Sequence, residues 1–341
     1  MQEITIRGGE VKTLEARCRD ILAELGLNPD SAPVTVQPLS GGVASDIARV
    51  DVGKSVYCVK FALPKLRVKA DWYAPVERNL AEYRWLTALS SVAPESSLRL
   101  FGHSRAENGF VMEYLSGPDT VLLKSELMAG RGTAQQAHKT GALLGQLHQH
   151  STSADFDSAG FHNHDDFYAL RLEPYLVHTA LSHPELAPAL HQMADALYQA
   201  DTVLIHGDVS PKNILFSQNK PFILDAECAT LGDPCFDLAF CMTHFMLKAC
   251  HLPDCRTAYH RLVPALWQGY LPFISWEDSA GLERRVCQLL PMLMLARIDG
   301  KSPVEYLADE TKSRVRSPLV RLIEQPVTNF ADLILTFEDR S

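Results

Sequence analysis

A change of hydrophobic period near Gly117 and Pro118 constrains this chain more than any other feature. Upstream, "VTVQPLSGGVASDIARVDVGKSVYCVKFAL" falls into short apolar runs punctuated by glycine, the mark of β-strands. The first run ends in a turn at Gly41 and Gly42. The next two, over about residues 47–50 and 56–62, are joined by "DVGKS". Before them, Leu14, Cys18, Ile21, Leu22 and Leu25 recur at helical spacing, and Gly26 closes that helix. A helix over about 76–89 and strands near 98–102 and 110–114 complete the first part. Downstream the period becomes 3.6. "TAQQAHKTGALLGQLHQH" carries it through Ala137, Gly141, Leu144 and Leu147; "PELAPALHQMADALYQA" and residues 238–248 and 285–298 continue it. The expectation is an α+β chain of two lobes, β-rich over 1–114 and mainly helical over 115–341, without internal repeats. A chain of 341 residues is long enough for both.

Charge and composition exclude several partners. The net charge is −9, spread along the chain rather than gathered into the basic stripe that nucleic acid requires. The start has no basic segment followed by an apolar one, and no run reaches the roughly 18 apolar residues of a membrane span. A cytoplasmic protein is expected. The eight cysteines include no C-x-x-C pair. Cys241, His244, Cys250, His251 and Cys255 lie in or beside an apolar helical run, so they read as thiols and ordinary histidines rather than a zinc site. Nucleotides stay open, because one phosphate site needs only local donors, a cation or a metal.

The chemistry concentrates in "VLIHGDVSPKNIL" and, shortly after, "ILDAECATLGDPCFDLAF". Asp208 follows an apolar strand, and Gly207 permits a sharp bend. Asn213 precedes the next strand, "ILF", so the two ends of one short loop present a carboxylate and a carboxamide. The strand "PFIL" then ends at Asp225. A carboxylate so placed orients or deprotonates an attacking hydroxyl, while an amide oxygen and a second carboxylate suit magnesium with a nucleotide. That succession follows the phosphoryl-transfer template. Lys60, in the apolar "VYCVKFAL", is either an edge charge or a phosphate ligand. Glu77 and Glu82 are its candidate partners, with Glu82 near the inward face of its helix. "LSGGVASD", with Ser40, Gly41 and Gly42, reads as a plain hairpin or a phosphate-covering loop. "FVMEYLSG" reads as a crossover whose backbone, Glu113 to Leu115, is placed to meet an adenine edge.

In "HGD" (206–208), Asn213, Asp225 and "GDPCFDLA" (232–239), the chain resembles the aminoglycoside phosphotransferase-like kinases, a group that also holds choline and methylthioribose kinases. The resemblance covers roughly residues 35–250. It implies a bilobal protein-kinase-like fold and Mg-ATP bound between the lobes. It implies Asp208 as the catalytic base or hydroxyl-orienting residue, Asn213 and Asp225 on magnesium, and Lys60 with Glu82 on the α- and β-phosphates. His206 and Asp237 would brace the catalytic loop. "LDAEC" is closer to the methylthioribose kinase pattern, and Glu227 there is either a metal carboxylate or a salt-bridge partner. The protein-kinase "HRD" and "APE" elements are absent and no activation segment fits before Gly232, which disfavours a protein substrate.

Acceptor residues are sought in two helical segments. "FHNHDDFYALRLEPYL" offers Asp165, Asp166, Arg171, Glu173 and Tyr175; "LARIDGKSPVEYL" offers Arg297, Asp299 and Lys301 at a helix exit. The leading expectation is transfer from ATP to a hydroxyl of a sugar, amino alcohol or hydroxyacyl metabolite. An aminoglycoside acceptor and a non-catalytic nucleotide-binding protein are the alternatives. The acceptor's identity and the choice between monomer and homodimer stay open.

Overall fold

The computed structural model describes residues 12–39, 45–65, 67 and 75–338. They form two compact units that divide after Ser116.

The first unit is built on an antiparallel sheet. Its strands are β1 (Val34–Pro38), β2 (Ser45–Val52), β3 (Ser55–Ala62), β4 (Leu100–Ser104) and β5 (Gly109–Glu113), in the order β1-β2-β3-β5-β4. Helix α1 (Leu14–Glu24) starts on a Thr13 cap, whose side chain accepts from the Ala16 N–H. It buries Cys18, Ile21 and Leu22 against Ala48, Val50, Tyr57, Val59 and Phe61. Each of the Ile, Leu, Val and Phe side chains among them contributes about 1.5–3 kcal/mol on burial. Helix α2 (Arg78–Val92) carries the other pattern. Its buried positions Glu82, Leu86 and Leu89 lie four and seven residues apart, on one face. Strand alternation sends Tyr57, Val59 and Phe61 to the α1 side, and therefore sends Cys58 and Lys60 the other way.

The second unit is mainly helical. Its longest helices are Ala134–Ser151, Cys235–His251, Ser279–Asp299 and Asp309–Glu324. Cys235–His251 is buried along nearly its whole length, as an almost uniformly apolar helix must be. Short strands interrupt the helices. β6 (Val121–Leu122) pairs with β8 (Ile214–Ser217), which also pairs with β9 (Lys220–Ile223); β7 (Val203–Ile205) pairs with β10 (Thr230–Gly232). These pairings hold the segment from His206 to Asp225 between fixed points.

Candidate active site

The loop leaving β7 is held by its own backbone. The Asp237 carboxylate accepts the His206 N–H at 2.7 Å on Oδ2 and the Gly207 N–H at 2.8 Å on Oδ1. Asp237 is fully buried, and His148 Nε2 lies 3.3 Å from Oδ2. His148 Nδ1 is in turn 2.8 Å from the Tyr270 hydroxyl. A buried carboxylate is tolerated when its lone pairs are met this way. The His206 ring ties the next segment. Its Nδ1 accepts the Asp208 N–H at 3.0 Å and its Nε2 is 3.0 Å from the Leu224 carbonyl, which fixes the proton on Nε2. Burial keeps the His206 pKa below the ordinary histidine value. The geometry therefore gives His206 a bracing place between two loops.

Gly207 is required where it stands. Its φ is +78°, and a Cβ there would lie 2.9 Å from both Cys228 Cβ and Cys228 O. This close approach seats the catalytic-type loop on residues 226–228.

Asp208 itself is 3% exposed. Its Oδ2 meets Arg171 Nη2 at 2.8 Å and Lys212 Nζ at 3.1 Å. Among the described residues no bond is made to Oδ1. Burial raises the carboxyl pKa, but Arg171 and then Lys212 outweigh it, and the net shift is downward. Asp208 is thus an ionised acceptor with one oxygen neutralised and one available. Arg171 comes from a π-helical segment, Tyr168–Val177. Its Nε donates to Gly207 O at 2.6 Å and its Nη1 to Leu170 O at 2.7 Å, so it clamps the loop as well as the carboxylate.

At the loop's far end, Asn213 Nδ2 donates to Asp208 O at 3.0 Å. That bond commits the amide nitrogen and leaves the carboxamide oxygen for another role. Among the described residues Ser210 Oγ, between them, is buried without a hydrogen-bond partner. The Leu224 N–H donates to Asn213 O at 2.8 Å, registering the end of β9 against this loop. Asp225 follows with φ +71°, a left-handed conformation that costs a non-glycine residue about 1–2 kcal/mol. Glu227 is buried nearby and within electrostatic reach of Arg171.

Among the described residues, no three His, Cys, Asp or Glu side chains converge on a metal position. A magnesium ion does not need that. It takes one or two carboxylate or amide oxygens and completes its octahedron with phosphate and water. The Asn213 oxygen, Asp225 and the unpaired Ser210 hydroxyl are hard oxygen donors of that kind, so the donor set fits.

In the first unit, Lys60 Nζ meets Glu82 Oε1 at 2.8 Å and Oε2 at 2.6 Å, both side chains being 2% exposed. Strand β3 is interior to the sheet, which excludes an edge charge; of the two candidate carboxylates, Glu82 pairs with Lys60, while Glu77 stands at the α2 N-terminus. Glu113 ends β5, with its N–H engaged by Arg99 O at 2.8 Å, and Leu115 follows two residues on. Ser40, Gly41 and Gly42 lie outside the described residues.

The remaining sequence candidates separate. Lys301 pairs with Glu173 at 3.3 Å, and Asp299 pairs with Arg316 at 2.7 Å and His183 at 2.9 Å. Arg297 instead turns to the Ser302 Oγ at 2.9 Å and to the Tyr175 ring at 5.9 Å. In "GDPCFDLA", Asp233 clamps Arg285 of helix Ser279–Asp299 at 2.7 Å. A cavity of about 300 Å3, lined by Met193, Leu197, Arg285, Met292 and Ile323 among others, includes none of Asp208, Asn213 or Asp225 in its walls. Sequence reasoning misses His148, Tyr270 and Lys212. The first had a signal: a histidine four residues after Leu144 on the apolar face of its helix.

Comparison with known proteins agrees with this architecture. The model of the phosphotransferase enzyme family matches residues 35–282, and the chain belongs to that family. No curated protein compared with it matches in sequence. Among solved structures, choline kinase from Cryptosporidium parvum Iowa II superposes with a TM-score of 0.54 at 13% identity, covering 93% of this chain and 100% of that one. Amicoumacin kinase hAmiN, in complex with AMP-PNP, Ca2+ and Ami, gives 0.54 at 17% identity, covering 94% and 98%. A choline/ethanolamine kinase family protein from Mesorhizobium loti gives 0.50 at 14%, covering 94% and 98%. The fold is protein-kinase-like, and the chain is a phosphotransferase.

Proposed function

We propose that this phosphotransferase moves the γ-phosphoryl group of ATP, with magnesium, to a hydroxyl of a small molecule. The observation that carries the reading is Asp208: a buried, ionised carboxylate with one oxygen on Arg171 and Lys212, on a loop tied through Asn213 to Asp225. Such a group accepts the hydrogen of an incoming hydroxyl through its other oxygen. The acceptor oxygen bonds to Pγ, the bond from Pγ to the β,γ-bridging oxygen breaks, and ADP leaves with that electron pair. The hydroxyl proton passes to Asp208 and on to solvent. Because the Asp208 pKa is depressed, it is a weak base, and its main effect is orientation. A loose phosphoryl-transfer transition state asks for little more.

Asn213 and Asp225, with Glu227 beside them, would hold magnesium, which neutralises phosphate charge when bound. Lys60, fixed by Glu82, would engage the α- and β-phosphates. Ser40, Gly41 and Gly42 would cover them, and the backbone from Glu113 to Leu115 would meet the adenine. Residues 1–114 would then serve the nucleotide and 115–341 the catalytic loop and acceptor. The bound AMP-PNP and Ca2+ of amicoumacin kinase support a nucleotide with a divalent ion.

An aminoglycoside acceptor is the second reading. It is disfavoured by the pairing of Glu173 and Asp299 with cations of this chain, which neutralises two of the carboxylates a polycation would use. The test is an ADP-release screen over hydroxylated metabolites and aminoglycosides. We expect acceptor-dependent, magnesium-dependent turnover with a metabolite; phosphorylation of aminoglycosides alone would overturn the metabolite reading.

A further inference from the structure

The helix Cys235–His251 carries two basic residues that neither the fold nor the catalytic loop uses. His244 and Lys248 are one turn apart on it, 8% and 1% exposed. Among the described residues neither side chain has a hydrogen bond or an ion pair. Lys248 meets only the face of Tyr306, 5.0 Å from its ring centroid. Among the described residues the Tyr306 hydroxyl and Arg297 Nε are themselves buried without hydrogen-bond partners. His244 lies in the fields of Lys248, Arg297, Lys212 and Lys124, all of one sign. Glu305, whose carboxylate acts electrostatically on Lys248, is exposed and pairs with Lys124 at 3.4 Å.

Buried donors are normally matched by acceptors, and buried charges are paired. Here a lysine, an arginine, a histidine and a phenol gather; Arg297 Nη1 donates to Ser302, but among the described residues Arg297 Nε, the Tyr306 hydroxyl and the Lys248 ammonium find no acceptor. Burial and the like charges of Lys124 and Arg297 bring the Lys248 pKa down to about 7. An anion among these groups would receive charge-assisted hydrogen bonds and remove their mutual repulsion. The cluster is also linked to the catalytic-type loop. Lys212 reaches both the field of His244 and the Asp208 carboxylate, and Tyr175, under Arg297, acts electrostatically on Arg171 and Lys212.

We propose that His244, Lys248, Arg297 and Tyr306 form an anion subsite that binds a carboxylate or phosphate group of the acceptor while its hydroxyl faces Asp208. This rests on the kinase reading above for the hydroxyl, but the anion subsite can be read independently of it. The acceptor is then an anionic alcohol, a hydroxy acid or a phosphorylated polyol, rather than an amino alcohol.

The experiment titrates inorganic phosphate into the full-length protein saturated with AMP-PNP and magnesium, following thermal unfolding. Wild type should be stabilised saturably, and the apparent affinity should fall at least tenfold in Arg297→Gln and in Lys248→Met. Lys248→Met should itself raise the unfolding temperature without phosphate, because it removes an uncompensated buried charge, whereas a scaffold lysine replaced in this way would lower it. Glycerate, glycerol 3-phosphate, glycerol and 3-aminopropane-1,2-diol, compared as acceptors and competitors, separate carboxylate, phosphate, neutral and cationic forms. No saturable phosphate effect, or an equal one in both variants, overturns the subsite. If neutral or cationic acceptors turn over and Arg297→Gln leaves them unaffected, the subsite fails while the kinase reading stands. Phosphate binding lost in both variants, with no acceptor ever phosphorylated, upholds the subsite and removes the kinase reading.

Discussion

Lys60 and Glu82 show what one residue pair contributes within the first unit. Both are almost completely buried, and both carboxylate oxygens lie within 2.8 Å of the ammonium. Breaking such a pair by removing one partner costs roughly 3–5 kcal/mol, because the other charge stays in a low-dielectric setting. Lys60→Met should therefore destabilise the protein by about that amount in urea unfolding, and Lys60→Met with Glu82→Leu should recover most of it. A single variant as stable as wild type would show that the pair is solvated and not buried. The sequence left Glu77 and Glu82 both open as partners. Helical spacing put Glu82 near Leu86 and Leu89, and that face is the one packed on the sheet. What spacing does not contain is strand order. Lys60 reads equally well as an edge residue until β3 is seen between β2 and β5.

At the scale of elements, the loop from His206 to Asn213 behaves as a preassembled part. Asp237 holds its entry, Arg171 its bend and Leu224 its exit. Gly207→Ala adds a Cβ at 2.9 Å from Cys228 and demands a left-handed backbone. The conformational cost is about 1–2 kcal/mol and the overpacking about 1–3 kcal/mol. Gly26→Ala, at φ +65° with nothing within 4 Å of the new Cβ, carries only the first cost. We expect Gly207→Ala to lower stability more than Gly26→Ala and to reduce turnover, measured by thermal unfolding and ADP release; equal losses of stability would mean that the Cys228 contact is dispensable. The strands on either side of this loop are legible as apolar runs. β10 is not: Thr230–Gly232 is three residues long and runs straight into Asp233-Pro234, and it pairs with β7 only after the chain has passed through β8 and β9. Arg171 is legible as a candidate but not in its direction. In a π-helical segment the 3.6-residue periodicity no longer tells which way a side chain points.

For the whole molecule, the balance of charge is misleading unless it is located. The net charge of −9 is dispersed, while the helical unit gathers Arg171, Lys212, Lys248 and Arg297 around Asp208, Tyr175 and His244. The two-lobed α+β organisation was legible because strand and helix periods occupy different halves of the chain. The polar succession at 206–239 was legible because its spacing is short. A basic residue in an apolar helix, such as His244 or Lys248, reads as routine until its neighbours are known, and here they come from Lys124, Lys212 and residues 297–306. No helix of the described residues is long and apolar enough to cross a membrane.

The central claim is that Asp208 acts on the acceptor hydroxyl while Asp225 serves the metal and nucleotide. Its most direct test compares Asp208→Asn with Asp225→Asn, measuring AMP-PNP affinity with and without magnesium beside single-turnover phosphoryl transfer. The account predicts that Asp208→Asn keeps nucleotide affinity near wild type and loses roughly 10²–10⁴-fold in transfer. Asp225→Asn should lose the magnesium-dependent part of nucleotide affinity. Transfer at the wild-type rate by Asp208→Asn, in a protein that remains folded, would contradict it.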